Sequence, residues 1–182
     1  MDQIDVIAPN LKRRLSGVTT TVLRLVPVQA REIGIVATGP GLPEAVPHLP
    51  LWRLPFLPRR PRVWHARRNN EMVLGLILRA LGMDLKLLFT SAAQRHHKPF
   101  TKRLIAKMDR VVATSPQAAG YLERPATVIM HGIDTEVFHP AADRAALRRG
   151  LGLPEDGLVI GCFGRIRPQK GQDLLVAAAL DL

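Results

Sequence analysis

Short apolar runs alternate along the chain with longer runs in which apolar residues recur every three or four positions. The short ones are "IDVIAP" (4–9), "IGIVAT" (33–38), "RVWHA" (62–66), "LKLLFT" (85–90), "RVVATS" (110–115) and "ATVIMHG" (126–132). Their length and their β-branched and aromatic content read as strands. The longer ones are "GVTTTVLRLVPVQA" (17–30), "NNEMVLGLILRALG" (69–82), "KPFTKRLIAKM" (98–108) and "SPQAAGYL" (115–122), which read as helices. Pro27 ends or kinks the first of these, Asn69 is the expected cap of the second, and Ser115 with Pro116 opens the last. Between positions 39 and 61 the chain is Pro-rich and reads as irregular.

Strands that alternate with helices predict a parallel, doubly wound, Rossmann-like α/β sheet. Ligands of such sheets bind at the carboxyl ends of the strands. The polar segments 10–17, 65–70, 90–97, 114–115 and 131–134 all follow strands and are therefore well placed. After Pro140 the pattern restarts. Residues 142–157 read as a short helix and a linker, "LVIGCFG" (158–164) as a buried strand, and "GQDLLVAAALDL" (171–182) as an amphipathic helix. One strand and one helix cannot bury both faces of a sheet. The expected organisation is a domain over 1–140, a linker over 141–157 and the first strand and helix of a second, incomplete Rossmann-like domain over 158–182.

Composition adds limits. Of the 182 residues 47% are hydrophobic and 23% charged, enough for a sizeable core. The single Cys162 excludes an internal disulfide, suits a reducing compartment and, with apolar neighbours, is expected in the core. The opening "MDQIDVIAPN" lacks the basic and apolar regions of a signal peptide, and "MVLGLILRALGM" is too short to span a bilayer. A cytoplasmic chain is expected. The net charge of +11 is either a solvated basic surface or a signal of anionic partners. The basic residues are scattered and not interleaved with aromatics, so no nucleic acid is expected. Basic and apolar stretches around 51–62 and 98–107, with Trp52, Phe56 and Phe100, instead predict peripheral contact with an anionic membrane, the inner membrane's cytoplasmic face.

Near the end stands "GCFGRIRPQKGQDLL" (161–175). It places Arg165, Arg167 and Lys170 in a strand-to-helix turn, beside the free N–H groups of a helix start. Cations there suit phosphate oxygens, although solvated loop charges would look the same. His96 and His97 are poor metal ligands, because adjacent side chains diverge and no carboxylate cluster accompanies them.

The runs "HGIDTEVFHP" and "GRIRPQKGQDLL" resemble those of retaining glycosyltransferases of the GT-B fold, family 4. The stretch from "WHARRNN" to "RVVATS" is similar to bacterial lipopolysaccharide-core mannosyltransferases of that family, and the likeness runs from Ile4 to Leu180. It implies an amino-terminal domain that binds a lipid-linked core oligosaccharide and a carboxyl-terminal one that binds a nucleotide sugar, GDP-mannose. It implies no cofactor and no metal. Arg165 and Lys170 match the family's diphosphate-binding Arg and Lys, where they would neutralise charge on the leaving diphosphate. Ser16–Gly17–Val18 matches the family's first glycine-rich loop, with one glycine left; Gly17 is also explained as a tight turn. His65 matches a position facing the cleft and is the catalytic candidate, against a hydrogen-bonded strand-end histidine. Where many members carry a His near the donor sugar, this chain has Thr90 and Ser91. Arg67, Asn70, His131 and Asp134 are further cleft candidates, Asp134 equally as a turn cap. Family members continue for about another domain, roughly 150 residues, with a Glu-x7-Glu motif that holds the donor. The chain is therefore expected to be a truncated or split product that a second chain would complete. The other readings are a non-catalytic acceptor-binding module and a nucleotide- or nucleic-acid-binding α/β domain.

Overall fold

The computed structural model describes residues 3–13, 16–164, 166 and 170–181. They form two compact units that divide between Gly132 and Ile133; the expected boundary lies at Pro140.

The first unit is built on six parallel strands: β1 (Val6–Pro9), β2 (Ile35–Thr38), β3 (Arg62–Ala66), β4 (Leu85–Ser91), β5 (Arg110–Ala113) and β6 (Thr127–Val128). Their order in the sheet is β2-β1-β3-β4-β5-β6. The expected parallel α/β architecture is borne out. Between the strands run α1 (Gly17–Gln29), α2 (Asn69–Ala80), α3 (Pro99–Ala106) and α4 (Pro116–Gly120). Period-two burial fixes the register. In β4, Leu85, Leu87, Phe89 and Ser91 are buried while Lys86 is exposed, so a slip by one residue would bury a lysine and expose four core positions.

Two apolar clusters divide the core. The larger packs Trp64, Leu87, Phe89 and Val111 of the sheet against Met72 and Leu78 of α2, Leu104 and Ile105 of α3, and Ala118 of α4. The smaller packs Ala8, Ile35 and Ala37 against Val22 and Val26 of α1. Gly75 of α2 allows the closest approach in the larger cluster. A Cβ there would lie 2.5 Å from Cδ1 of Trp64, whose Nε1–H donates to the Glu71 carbonyl at 2.8 Å.

Local chemistry sets most boundaries. Ser16 caps α1 by accepting from the Thr19 N–H at 3.3 Å, and Ser115 caps α4 by accepting from the Ala118 N–H at 3.0 Å. Pro27 lies inside the last turn of α1 without ending it early. Three expectations are corrected. The cap of α2 is Arg68, with extended backbone, and not Asn69; the Asn69 amide is used elsewhere, donating from Nδ2 to Thr101 Oγ1 at 2.8 Å and tying α2 to α3. Gly17 begins α1 without a positive φ, so its place does not call on the conformational freedom of glycine. The Pro-rich segment holds a 3-10 turn, Leu51–Phe56, seated by the buried Leu54.

The second unit carries α5 (Arg144–Gly150) and α6 (Gln172–Leu180). The strand expected over 158–164 does not form. A strand needs a neighbour for its N–H and C=O groups, and among the described residues this run pairs with none. Cys162, expected in the core, is consequently exposed.

Candidate functional site

Along the sheet, the connection from β1 runs to one side and β3 lies on the other. In open α/β sheets the crevice outside the carboxyl ends at such a reversal is where ligands bind. The polar residues that follow β1, β3 and β4 meet there.

Arg68 is at the centre. Its Nη1 donates to Asn10 Oδ1 at 2.9 Å and to Glu71 Oε1 at 2.8 Å. Its Nη2 donates to Ser16 Oγ at 3.0 Å and to Thr19 Oγ1 at 2.8 Å. Each terminal nitrogen carries two N–H groups, so all four are used. The end of β1, the cap of α1 and the first turn of α2 are thus held by one guanidinium. Glu71 is fully buried, and its other oxygen accepts from the Arg67 N–H at 2.8 Å. A buried ion pair persists only when its remaining hydrogen-bonding capacity is met; here the four terminal N–H groups of Arg68 and both oxygens of Glu71 are engaged.

The second group is His65, Arg67 and Thr90. His65 Nε2 lies 2.7 Å from Thr90 Oγ1. Arg67 Nη2 lies 3.4 Å from His65 Nδ1, and Arg67 Nη1 donates to the His65 carbonyl at 3.3 Å. Burial, and secondarily the Arg67 charge, push the His65 pKa down to about 3. Burial likewise lowers that of Arg67 to about 10, with Glu71 opposing the shift and Arg68 adding to it. At neutral pH His65 is an uncharged imidazole and Arg67 remains a cation. One strand position further, the buried Ser91 Oγ lies 3.1 Å from His97 Nε2. His97 is lowered by burial first, then by Arg95 and Lys102.

Of the residues expected from sequence, His65, Arg67, Thr90 and Ser91 lie at these strand ends, and Ser16 and Gly17 open α1. Asn70 is exposed in the first turn of α2. His131 is exposed and follows β6, three strands away from β3. Asp134 and Lys170 belong to the second unit. There the Asp134 Oδ1 accepts from the N–H groups of Glu136 and Val137 at 3.1 and 3.3 Å, a turn cap. Lys170 is exposed beside Gly171, the cap of α6. Arg165 and Arg167 lie outside the described residues. Sequence reasoning did not single out Asn10, Arg68 or Glu71. The available signal was a Glu at the third helical position behind an Arg pair at a strand end, an arrangement suited to a reciprocal cap. A cavity of about 590 Å³ is lined by His97, Lys102, Arg103, Tyr121 and Arg124 among others.

The chain is 54% identical over 187 aligned residues to the lipopolysaccharide core biosynthesis mannosyltransferase LpcC of Rhizobium leguminosarum bv. viciae, covering 98% of this chain and 53% of that protein. It is 50% identical, with the same coverage, to the lipopolysaccharide core biosynthesis mannosyltransferase LpsB of Rhizobium meliloti strain 1021. A D-inositol 3-phosphate glycosyltransferase of Stackebrandtia nassauensis is 39% identical over 103 residues, 50% of this chain and 23% of that protein. No family model matches. The resemblance drawn from the motifs is thereby borne out. The chain spans about half the length of the curated relatives it matches.

Proposed function

We propose that this chain is the acceptor-side part of a mannosyltransferase of lipopolysaccharide core assembly. The observation that carries this reading is the 54% identity to LpcC across 98% of the chain. In detail, the crevice at the ends of β1, β3 and β4 takes a lipid-linked core oligosaccharide. The donor is GDP-mannose, transfer is retaining and needs no metal, and the donor site is completed by polypeptide equivalent to the other half of the relatives. Residues 158–182 supply one edge of that site through Arg165 and Lys170. The protein works on the cytoplasmic side, against an anionic membrane. Trp52, Phe56 and Phe100 are 65%, 78% and 58% exposed among basic neighbours, which supports such contact. Among the described residues no helix is long and apolar enough to cross a membrane.

The physical role of the Arg–Lys pair is to neutralise charge as the diphosphate departs, so its loss acts on kcat. The test is mannose transfer from GDP-mannose to lipopolysaccharide core acceptor, by this chain joined to the remaining half of a relative. Replacing Arg165 and Lys170 together by Ala is expected to lower kcat by at least 100-fold, since one such contact contributes about 3–4 kcal/mol. A wild-type rate in that double variant removes the diphosphate assignment. Robust transfer by the 182 residues alone removes the need for a completing half.

A further inference from the structure

His65 was the catalytic candidate, yet its surroundings give it a different task. Arg67 Nη2 faces its Nδ1 at 3.4 Å. A guanidinium has only donors, so Nδ1 is the unprotonated, accepting nitrogen. A neutral imidazole then carries its proton on Nε2, and that N–H donates to Thr90 Oγ1 at 2.7 Å. Burial and the Arg67 charge both disfavour the imidazolium that would make both nitrogens donors. The Thr90 hydroxyl therefore accepts from within the protein. Its own proton is paired with no other group among the described residues, and Thr90 is half-buried at the carboxyl end of β4.

We propose that the Thr90 hydroxyl is the oriented hydrogen-bond donor of the crevice, that it takes a sugar hydroxyl oxygen, and that His65 is its positioning residue. The directional chain runs Arg67 to His65 to Thr90 to ligand. Each member accepts from the one before it, which turns a freely rotating hydroxyl into a fixed donor. A sugar oxygen suits the place better than a phosphate. Beyond Arg67, the Arg68 cation is paired with the Glu71 carboxylate at 2.8 Å. Thr90 and Ser91 at the end of β4 and Asn70 in the first turn of α2 add neutral polar groups. The choice of a sugar rests on the acceptor-side reading above; the direction of the hydrogen bonds does not.

The 182-residue chain suffices for the test. Long-range ¹H–¹⁵N correlation spectra of the histidine rings are expected to show His65 at pH 7 protonated on Nε2 and bare on Nδ1. A proton on Nδ1, or on both nitrogens, overturns the proposal. Calorimetric binding of dephosphorylated lipopolysaccharide core oligosaccharide is expected to weaken about tenfold in Thr90→Val, the size of one lost hydrogen bond. Thr90→Ser keeps the hydroxyl and stays close to wild type. His65→Phe weakens binding like Thr90→Val, while His65→Gln, whose amide N–H reaches near the place of Nε2, restores it. Undiminished binding in Thr90→Val overturns the proposal while the acceptor-side reading stands. No binding by the wild type, with the Nε2 proton found, removes the acceptor-side reading and the sugar with it. Inorganic phosphate is the competing probe: binding of phosphate that Thr90→Val weakens, without binding of the oligosaccharide, overturns the sugar assignment.

Discussion

Residues 85–91 and 158–164 carry similar apolar runs, "LKLLFTS" and "LVIGCFG". The first becomes β4, flanked on both sides by β3 and β5. Its Leu87 and Phe89 are buried beneath α2 and α3. The second pairs with no strand among the described residues, and its Leu158 and Phe163 are 80% and 98% exposed. The contrast extends to the two units: the first buries an apolar side chain from nearly every element, whereas no described residue after Gly132 is buried. An apolar run supplies the free energy of burial only when other elements exclude water from it. The periodicity of a segment therefore predicts what it can become, and its neighbours decide whether it does.

The largest expected effect lies where those neighbours are densest. Trp64 is fully buried on β3, fits against the missing side chain of Gly75 and donates to the Glu71 carbonyl. Trp64→Ala opens a cavity and leaves that carbonyl without its indole partner. The expected cost is about 3–5 kcal/mol, a large fraction of the stability of an ordinary domain, read from urea unfolding followed by circular dichroism. A loss below about 1 kcal/mol, within the range of surface changes, would mean that the first unit lacks the packed core that sets it apart from the second.

The same contrast explains what was legible beforehand. All six strands of the first unit could be read from short apolar runs, and four helices from longer ones, because each of those patterns ends up with a partner. Ser115 and Pro116 marked the start of α4 by local chemistry alone. The strand over 158–164 was misread because a pattern says nothing of pairing. Asn69 was misread because its amide is drawn to Thr101, thirty-two positions away. In the crevice, His65 and Thr90 were both singled out, but their pairing spans twenty-five positions. Arg68 escaped notice as one basic residue among many. Its role exists only once the ends of β1 and β3 and the starts of α1 and α2 are side by side, which is topology rather than local sequence.

A second prediction uses pH to test how firmly the first unit holds its buried groups. The folded-state pKa of His65 is about 3, against roughly 6.5 in an unfolded chain. Between those values the unfolded chain binds the extra proton, so folding stability falls as pH falls through this window. From pH 7 to pH 5 the expected loss from this group is about 1–2 kcal/mol. His65→Gln, which does not titrate, should flatten that part of the profile, as read from urea midpoints at each pH. Equal slopes in the two proteins would mean that His65 is not held neutral by burial.

The smallest effect belongs to the second unit, and it bears most directly on the comparison. Phe163 is 98% exposed and Leu174 is 72% exposed. Neither contributes burial that a substitution could remove. Phe163→Ser and Leu174→Ser are therefore expected to change the unfolding free energy by less than about 0.5 kcal/mol, against the several kcal/mol of Trp64→Ala. Hydrogen exchange reads the same difference in the backbone. Amides of β4 pair with their neighbours and should open only with global unfolding, whereas those of 158–164 should exchange near the rate of an unstructured chain. Adding the polypeptide that spans the other half of the relatives would supply the absent neighbours, and protection over 158–164 should then rise toward that of β4. Strong protection of 158–164 in the 182-residue chain by itself would place a paired strand there and erase the distinction between the two runs.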